Sequence, residues 1–186
     1  FGEAVRQASF NGVSIMTGTG YVSANFSAWG GFATTILLIV MFIGGCGGST
    51  TCGIKVFRLQ VLASTAKVQI SRLLRPHAVV LAYYNKRPVS VEVMDSVMGF
   101  FYLFILGFVL IAIMLGIAGL DFVTALSGAA TSISNVGPGL GEVIGADGNF
   151  STLPNSAKWT MSFAMLLGRL EIFTVLVMLN PAFWQR

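Results

Sequence analysis

The sequence predicts an all-α membrane protein built from repeated units of a helix, a re-entrant pore loop and a second helix. Its 186 residues are 55% hydrophobic and 10% charged, whereas a soluble domain carries about 25% charged residues. Apolar runs at 97–120 and 157–179 are long enough to cross a bilayer as helices. Two short turns that contain glycine, at 14–22 and 131–139, recur in a similar context. Such internal repetition indicates pseudosymmetry around a transport path.

The first half of the chain is expected to enter the membrane once and then to cross it with a broken helix. The helix at 3–16 is too short to span a bilayer, and the Thr-Gly step after it favours an extended turn. Five glycines between 44 and 53 end the next apolar helix, because glycine is a poor helix former. The predicted elements are a helix at 3–16, an extended turn at 17–22, a loop at 23–27, a membrane helix at 28–43, a break at 44–53 and a helix at 54–74.

The second half repeats this order with an unbroken first span. The run from 91 to 119 is a long apolar helix, and Asp121 is a candidate N-cap for the short helix after it. The last apolar run ends at Pro181, which cannot continue a helix. The predicted elements are a connection at 76–88, a helix at 91–119, a re-entrant helix at 121–134, a turn at 135–139 and a final span at 156–180.

Basic residues are concentrated between the first apolar run and residue 97. Seven of the eleven lysines and arginines lie there: Lys55, Arg58, Lys67, Arg72, Arg75, Lys86 and Arg87. Cytoplasmic loops of membrane proteins carry such an excess, so this stretch is predicted to face the cytoplasm and both turns to lie on the outer side. Lys55 and Lys67 are then expected to be solvated charges. The basic balance reflects topology in a lipid bilayer, and nucleic acid is not an expected partner.

The two turns have the composition of an ion-selective site. A shift of 117 positions places Gly20 on Gly137 and Thr19 on Val136. A potassium ion gives up its water where backbone carbonyls of an extended segment replace it, and glycine permits the required backbone. We therefore predict K+ sites at Thr19, Gly20, Val136 and Gly137. The complete predicted selectivity filter consists of Thr17, Gly18, Thr19, Gly20, Ser134, Asn135, Val136 and Gly137.

Four segments together carry a resemblance to a known family. They are Met-Thr-Gly-Thr-Gly-Tyr at 16–21, Gly-Gly-Cys-Gly-Gly-Ser-Thr-Thr-Cys-Gly-Ile-Lys at 44–55, Asn-Val-Gly-Pro-Gly at 135–139 and Met-Leu-Leu-Gly-Arg-Leu-Glu at 165–171. In this combination the chain resembles the C-terminal half of the pore subunit of TrkH-type potassium-uptake systems, in the Trk/Ktr/HKT superfamily. The filter departs from the potassium-channel form Thr-Val-Gly-Tyr-Gly at Val22 and Pro138. This departure implies fewer well-formed ion sites than in a potassium channel.

The resemblance implies a polypeptide with four pore repeats, of which this chain, beginning with Phe1, supplies two. Residues 1–75 correspond to the third repeat without its first span, 76–90 to a cytoplasmic connection and 91–186 to the complete fourth repeat. The implied function is potassium uptake across the bacterial inner membrane by a multi-pass protein, with K+ as the transported ion and no cofactor. The implied partners are a second copy in a homodimer and a TrkA-like ring of nucleotide-binding regulatory subunits on the cytoplasmic side.

The glycine-rich break must line a cavity, because bare backbone at membrane depth is tolerated only there. The resemblance implies that this intramembrane loop gates the path through Gly44, Gly45, Gly47, Gly48, Ser49, Thr50, Thr51 and Gly53. A phosphate-binding loop is the rival interpretation. It is disfavoured because the lysine of G-x-x-x-x-G-K-[ST] stands one place late, at Lys55, with no serine or threonine after it.

Arg169 lies inside the last predicted span. A guanidinium in lipid costs at least about 2.5–3.5 kcal/mol, so the arginine is expected to be buried in the protein interior or to face water. Two roles are open at this point. Arg169 forms a structural ion pair with another repeat, or it acts as an electrostatic barrier and latch beneath the filter, in contact with the loop at 44–53. The family resemblance favours the latch.

Two other functional classes share part of this pattern. An ion-coupled secondary transporter of a small solute also uses broken helices at the bilayer midplane, but it does not predict two Thr/Val-Gly turns after short helices. An intramembrane enzyme needs an acid or a nucleophile facing the cavity, for which Glu171 and Cys46 are the candidates. The sequence shows no paired carboxylates, serine elbow or metal cluster beside them, so an enzyme is not expected.

Overall fold

The computed structural model describes residues 1–76, 78 and 80–184, most of which are helical. The helices are α1 (Gly2–Thr17), α2 (Gly31–Phe42), α3 (Val56–Leu74), α4 (Val91–Ile117), α5 (Phe122–Ser134), α6 (Gly141–Ile144), α7 (Asn155–Arg169), α8 (Ile172–Leu179) and α9 (Pro181–Trp184). Short 3-10 helices lie at Phe26–Trp29 and Phe150–Thr152. The strands are β1 (Ile43–Gly44), β2 (Ile54–Lys55), β3 (Tyr83–Tyr84) and β4 (Arg87–Pro88). The predicted all-α fold is confirmed, and the strands are local pairings within connections.

Helix α5 lies at the centre of the packing. Asp121 caps its N-terminus as predicted, because the carboxylate accepts a hydrogen bond of 3.1 Å from the main-chain N–H of Thr124. Ten of the thirteen residues of α5 are buried, and the helix packs against both α4 and α7. Most of these residues are alanine, glycine, serine or threonine, so neighbouring helices approach closely. The C-terminal end of α5, from which the second turn leaves, is therefore held on several sides.

The long apolar helix of the second half is α4. Among the described residues it is the one helix that is long and apolar enough to cross a membrane by itself, with a mean hydropathy of 2.8. Its buried face, which includes Phe104 and Leu115, packs on α5, and its other faces expose apolar side chains. The helices α2 and α5 are apolar but shorter, with 12 and 13 residues.

The final span predicted at 156–180 is not one continuous helix. The chain breaks after Arg169 into α7 and α8, and the axes of Asn155–Arg169 and Ile172–Met178 differ by 102°. Glu171 has a φ of 57° and a ψ of 128°, which a helix cannot include. Its carboxylate binds Lys55 and Arg58 on the first half of the chain. This long-range ion pairing accompanies a break that the local sequence does not signal.

The break at 44–53 is confirmed as a non-helical loop. Its two ends are joined, because β1 and β2 pair in parallel with Ile43 opposite Ile54 and Gly44 opposite Lys55. A Cβ on Gly44 would lie 2.5 Å from the carbonyl oxygen of Cys52, so only glycine fits at this closure. Inside the loop, the Ser49 hydroxyl donates to the carbonyl of Cys46 over 2.7 Å.

The predicted connection at 76–88 contains a small antiparallel pairing of β3 with β4. Asn85 and Lys86, between the strands, both have positive φ, which is typical of a two-residue hairpin turn. The Ser64 hydroxyl of α3 donates to the carbonyl of Tyr83 over 3.1 Å, so the hairpin is attached to the preceding helix. His77 and Val79 of this connection, and residues 185–186 of the predicted fourth repeat, lie outside the described residues.

Candidate ion-conduction site

The first predicted turn leaves α1 through a left-handed cap. Gly18 has φ of 69°, and its N–H donates to the carbonyl of Ile15 over 3.2 Å. The N–H groups of Thr19 and Gly20 both donate to the carbonyl of Ser14, over 3.0 and 3.3 Å. These bonds occupy two of the last four carbonyls of the helix and turn the chain back on itself.

The second predicted turn has the same construction 117 positions later. Asn135 caps α5 with φ of 53°, and its N–H donates to the carbonyl of Ser132 over 3.2 Å. The N–H of Val136 donates to the carbonyl of Thr131 over 3.0 Å. The N–H of Gly137 instead donates to the Thr131 hydroxyl over 3.0 Å. Equivalent donors thus hold both turns, as expected for two copies of one unit.

The two turns meet at their glycines. A Cβ built on Gly137 would lie 3.6 Å from the Cα of Gly20. A Cβ on Gly20 would lie 2.4 Å from the carbonyl oxygen of Val136 and 3.3 Å from Cδ of Pro138. Both glycines also have positive φ, of 74° and 113°. A side chain at Gly20 is therefore excluded both by its backbone and by the neighbouring turn.

The glycine-rich loop lies against the ends of both pore helices. A Cβ on Gly18 would lie 3.7 Å from Cγ2 of Thr51, and a Cβ on Gly53 would lie 3.6 Å from the Ser134 hydroxyl. That hydroxyl is buried and has no hydrogen-bond partner among the described residues. The predicted gate residues and the predicted filter residues are thus brought together in one place.

Arg169 reaches the loop, as the sequence predicts. Its Nη1 donates to the main-chain carbonyl of Thr50 over 2.7 Å and lies 3.9 Å from Sγ of Cys52. Arg169 is exposed in this chain, so it is not buried in the protein interior and instead faces water, the other surrounding expected for it. Its side chain lines an open cavity of about 240 Å³, together with Ser49, Cys52, Lys55, Phe104 and Glu171.

The second turn is also tied directly to α7. The side-chain amide of Asn135 donates to the carbonyl of Met165 over 2.9 Å. One helical turn along α7, a Cβ on Gly168 would lie 1.9 Å from the carbonyl oxygen of Ile133. The helix that carries Arg169 therefore packs directly against the backbone that leads into the turn.

An ion-pair cluster that the sequence interpretation missed lies at the break between α7 and α8. The Glu171 carboxylate contacts Nζ of Lys55 at 3.3 Å and Nη2 of Arg58 at 3.2 Å. The Arg58 guanidinium also lies 3.7 Å from the ring centre of Phe100, in a cation–π contact. Lys55, expected to be a solvated charge, is therefore an ion-pair partner. Two oppositely charged residues that are 116 positions apart in the sequence are weak evidence for an ion pair. Only the fold brings Lys55 and Glu171 together.

The structure has two short helices that end in matching extended turns, and both pack against an unwound membrane segment. These features define an all-α membrane protein of the re-entrant-loop class. Residues 1–186 match the family model TrkH, described as a cation transport protein. The chain belongs to the TrkH family, and the resemblance found in the sequence is confirmed.

Curated relatives are similar along almost the whole chain. The identity is 46% over 183 residues with the Trk system potassium uptake protein TrkI of Halomonas elongata, covering 98% of this chain and 37% of that protein. The identity is 36% over 181 residues with the Trk system potassium uptake protein TrkH of Escherichia coli, covering 97% of this chain and 37% of that protein. The chain thus spans a little over one third of the length of these relatives.

A solved structure has the same fold. It is the crystal structure of the potassium transporter TrkH from Vibrio parahaemolyticus, with a TM-score of 0.88 and 40% sequence identity. The match covers 98% of this chain and 38% of that chain. The observed arrangement of re-entrant helices and broken span is therefore an arrangement found in a potassium transporter.

Proposed function

We propose that this chain forms part of a potassium-conducting path and that its two turns supply part of the selectivity filter. The observation that carries the proposal is the close approach of Gly20 and Gly137, whose N–H groups donate to equivalent residues of the two pore helices, Ser14 through its carbonyl and Thr131 through its hydroxyl. In this proposal the K+ ligands are the main-chain oxygens at Thr19, Gly20, Val136 and Gly137. The names of the relatives as potassium uptake proteins support the same ion.

The physical basis of selectivity is the replacement of water by carbonyl oxygens. A dehydrated cation is stable in a membrane only where several such oxygens surround it. Two turns supply part of such a ring, and a four-repeat polypeptide, as the family resemblance implies, supplies the rest. The carbonyl ends of α1 and α5 lie beside the turns and add partial negative charge, which favours cations.

The gate proposed beneath this filter is the glycine-rich loop at 44–53 with Arg169 as its latch. The hydrogen bond from Arg169 to Thr50 supports this role, as does the position of Arg169 on the wall of the same cavity as Ser49 and Cys52. A guanidinium in that place repels a passing cation, while the bond holds the loop in one arrangement. Loss of the bond frees a glycine-rich backbone that has many alternatives.

For the complete polypeptide we propose potassium uptake across the bacterial inner membrane. A homodimer and a TrkA-like ring of nucleotide-binding regulatory subunits are the partners that the family resemblance suggests. The basic helix α3 and the hairpin that follows it carry the charge expected of a cytoplasmic surface, where such a ring would bind. The names of the relatives, as members of a Trk system, are in agreement with a multi-component assembly.

The test uses the full-length protein, reconstituted in lipid vesicles. Rubidium influx, a measure of K+ conduction, is compared with influx of sodium and of amino acids. Selective uptake of K+ and Rb+ is expected; uptake of an amino acid instead indicates a secondary transporter and contradicts the proposal.

A glycine pair localises the path. Gly20→Ala places a methyl group 2.4 Å from a carbonyl of the other turn and should abolish selective flux, whereas Gly12→Ala, on α1 with no atom within 4 Å of its Cβ, should not. If Gly20→Ala keeps the same selective flux as Gly12→Ala, the path lies elsewhere.

A further inference from the structure

In both units, one main-chain N–H beyond the turn is held by a buried side chain of the pore helix. The N–H of Ser23 donates to Oδ1 of Asn11 over 3.1 Å. The N–H of Leu140 donates to Oγ of Ser127 over 3.0 Å. Ser23 and Leu140 each stand three residues after the turn glycine, and they are 117 positions apart. The same backbone group is thus held in both copies.

Each of these contacts consists of two hydrogen bonds. Asn11 accepts from Ser23 and also donates to the Ser23 hydroxyl over 3.0 Å. Ser127 accepts from the main chain of Leu140 and also donates to its carbonyl over 3.3 Å. Both Asn11 and Ser127 are 1% exposed. Removing either side chain leaves a main-chain N–H without its partner, and at the buried Leu140 this costs more than losing an exposed bond.

The two side chains stand at different positions of their helices. A shift of 117 places Asn11 on Gly128 and places Phe10 on Ser127. An asparagine at Gly128 would crowd its neighbours, because a Cβ there already meets side-chain atoms of Ile144, Leu115 and Met161 at 3.3 to 3.5 Å. In the second of the two units, the preceding residue, Ser127, makes the same contact. The feature common to both units is therefore the held N–H group and not the residue type.

Each turn is consequently fixed at two ends. Near the helix, Thr131 accepts from the N–H of Gly137, and Ser14 donates to the carbonyl of Tyr21 over 2.7 Å. Further out, Asn11 and Ser127 hold the exit of the chain. Discrimination between K+ and Na+ requires carbonyl oxygens whose number and separation suit one ion, and a segment fixed at both ends has little freedom to contract around a smaller one.

We infer that Asn11 and Ser127 are positioning residues that determine the ion specificity of the two turns. Neither side chain touches the ion; each acts through the backbone that it holds. This inference rests on the proposed potassium path and adds the residues that keep that path selective.

The test compares two serine variants on α5 in the polypeptide as its gene encodes it, reconstituted in vesicles. Ser127→Ala removes a hydroxyl that holds the turn. Ser132→Ala removes a hydroxyl of the same helix that is equally buried but has no partner in the part of the chain that is described. The ratio of Na+ to Rb+ influx should rise about three- to tenfold in Ser127→Ala, the effect of losing about one hydrogen bond, and should stay unchanged in Ser132→Ala.

A second variant covers the case in which Ser127→Ala does not fold. Ser23→Ala changes an exposed residue and removes one of the two bonds to Asn11, so it should raise the influx ratio by a smaller factor. A rise in these variants, with total flux retained, supports the inference. An unchanged ratio in both, with a wild-type protein that prefers Rb+, overturns it. A wild-type protein without preference for Rb+ overturns the proposed function itself, so the two failures are distinguishable.

Discussion

The guanidinium of Arg169 donates to the carbonyl of Thr50 over 2.7 Å, and the bond joins residues 119 positions apart. Thr50 belongs to the glycine-rich loop, and Arg169 is the last residue of α7. The preceding residue, Gly168, packs on the backbone that leads into the second turn. One helix end thus lies against both the proposed gate and the proposed filter.

Arg169→Ala should increase potassium flux. The substitution removes both the charge that repels cations and the bond that holds the loop. Because Arg169 is exposed, the expected increase is moderate, roughly three- to tenfold. Rubidium influx in vesicles measures it, with Arg6→Ala as control, since Arg6 forms an exposed pair with Glu3 at 3.9 Å. Unchanged flux in a folded Arg169→Ala protein argues against the latch.

Gly168→Ala should destabilise the protein. The new methyl group would lie 1.9 Å from the Ile133 carbonyl oxygen and 2.8 Å from the Asn135 amide, so α7 must shift away from α5. Overpacking of this kind costs about 1–3 kcal/mol. Thermal unfolding in detergent measures the effect, and Gly116→Ala is the matched control, because its Cβ meets no atom within 4 Å. The idea fails if the two variants unfold at the same temperature.

Glu171→Gln should weaken the attachment of the α7–α8 break to α3. The carboxylate neutralises Lys55 and Arg58, whose side chains are 20% and 13% exposed, and the substitution leaves two poorly solvated cations together. A loss of about 1–2 kcal/mol in unfolding free energy is expected, as for hydrogen bonds to charged groups. Glu3→Gln, at a pair whose side chains are more than 70% exposed, should change stability little. Equal effects of the two substitutions contradict a specific role for Glu171.

The cap of α5 should make stability dependent on acid pH. Hydrogen bonds from the side chain and main chain of Thr124 lower the pKa of Asp121 from its ordinary value of 3.8. The carboxylate therefore contributes its full stabilisation above that value and loses it as the pH falls through the lower, folded-state pKa. Asp121→Ala should cost about 1 kcal/mol at pH 7. The measurement is unfolding at pH 7 and pH 3.

A conservative variant separates the charge of this cap from its shape. Asp121→Asn keeps an acceptor for the N–H of Thr124 but lacks the negative charge at the helix N-terminus, so at pH 7 it should be less stable than wild type by about 0.3–1 kcal/mol. At pH 3 the difference between wild type and Asp121→Asn should shrink, since the wild-type carboxylate is then losing its charge. A constant difference between the two proteins at both pH values contradicts the titration of Asp121.

Features with a local signal could be predicted from the sequence. The cap at Asp121 follows from an acidic residue directly before a short apolar helix, and the break at 44–53 follows from its five glycines. The charge of Arg169 inside an apolar run indicated only a polar surrounding, and the family resemblance favoured contact with this loop over an ion pair with another repeat. In the structure, the main-chain carbonyl of Thr50 in this loop is the polar group that Arg169 contacts.

Features that depend on distant partners could not be predicted. The run at 157–179 contains no proline, and its glycine precedes the break, so nothing local indicates the bend at Glu171. The positive φ of Glu171 coincides with its ion pairs to α3, which only the folded chain reveals. The role proposed for Asn11 was missed for a similar reason. A polar residue on a short helix with several other polar residues does not indicate which backbone group it will bind.

The parallel pairing of Ile43 with Ile54 has a mechanical consequence. It joins the two ends of the loop, so the proposed gate is a closed ring with its base fixed to the neighbouring helices. In such a gate we expect opening to proceed by rotation of a few backbone torsions inside the ring, without sliding of one span past another. We therefore expect permeation to respond more to local charge next to the ring than to bilayer tension or thickness.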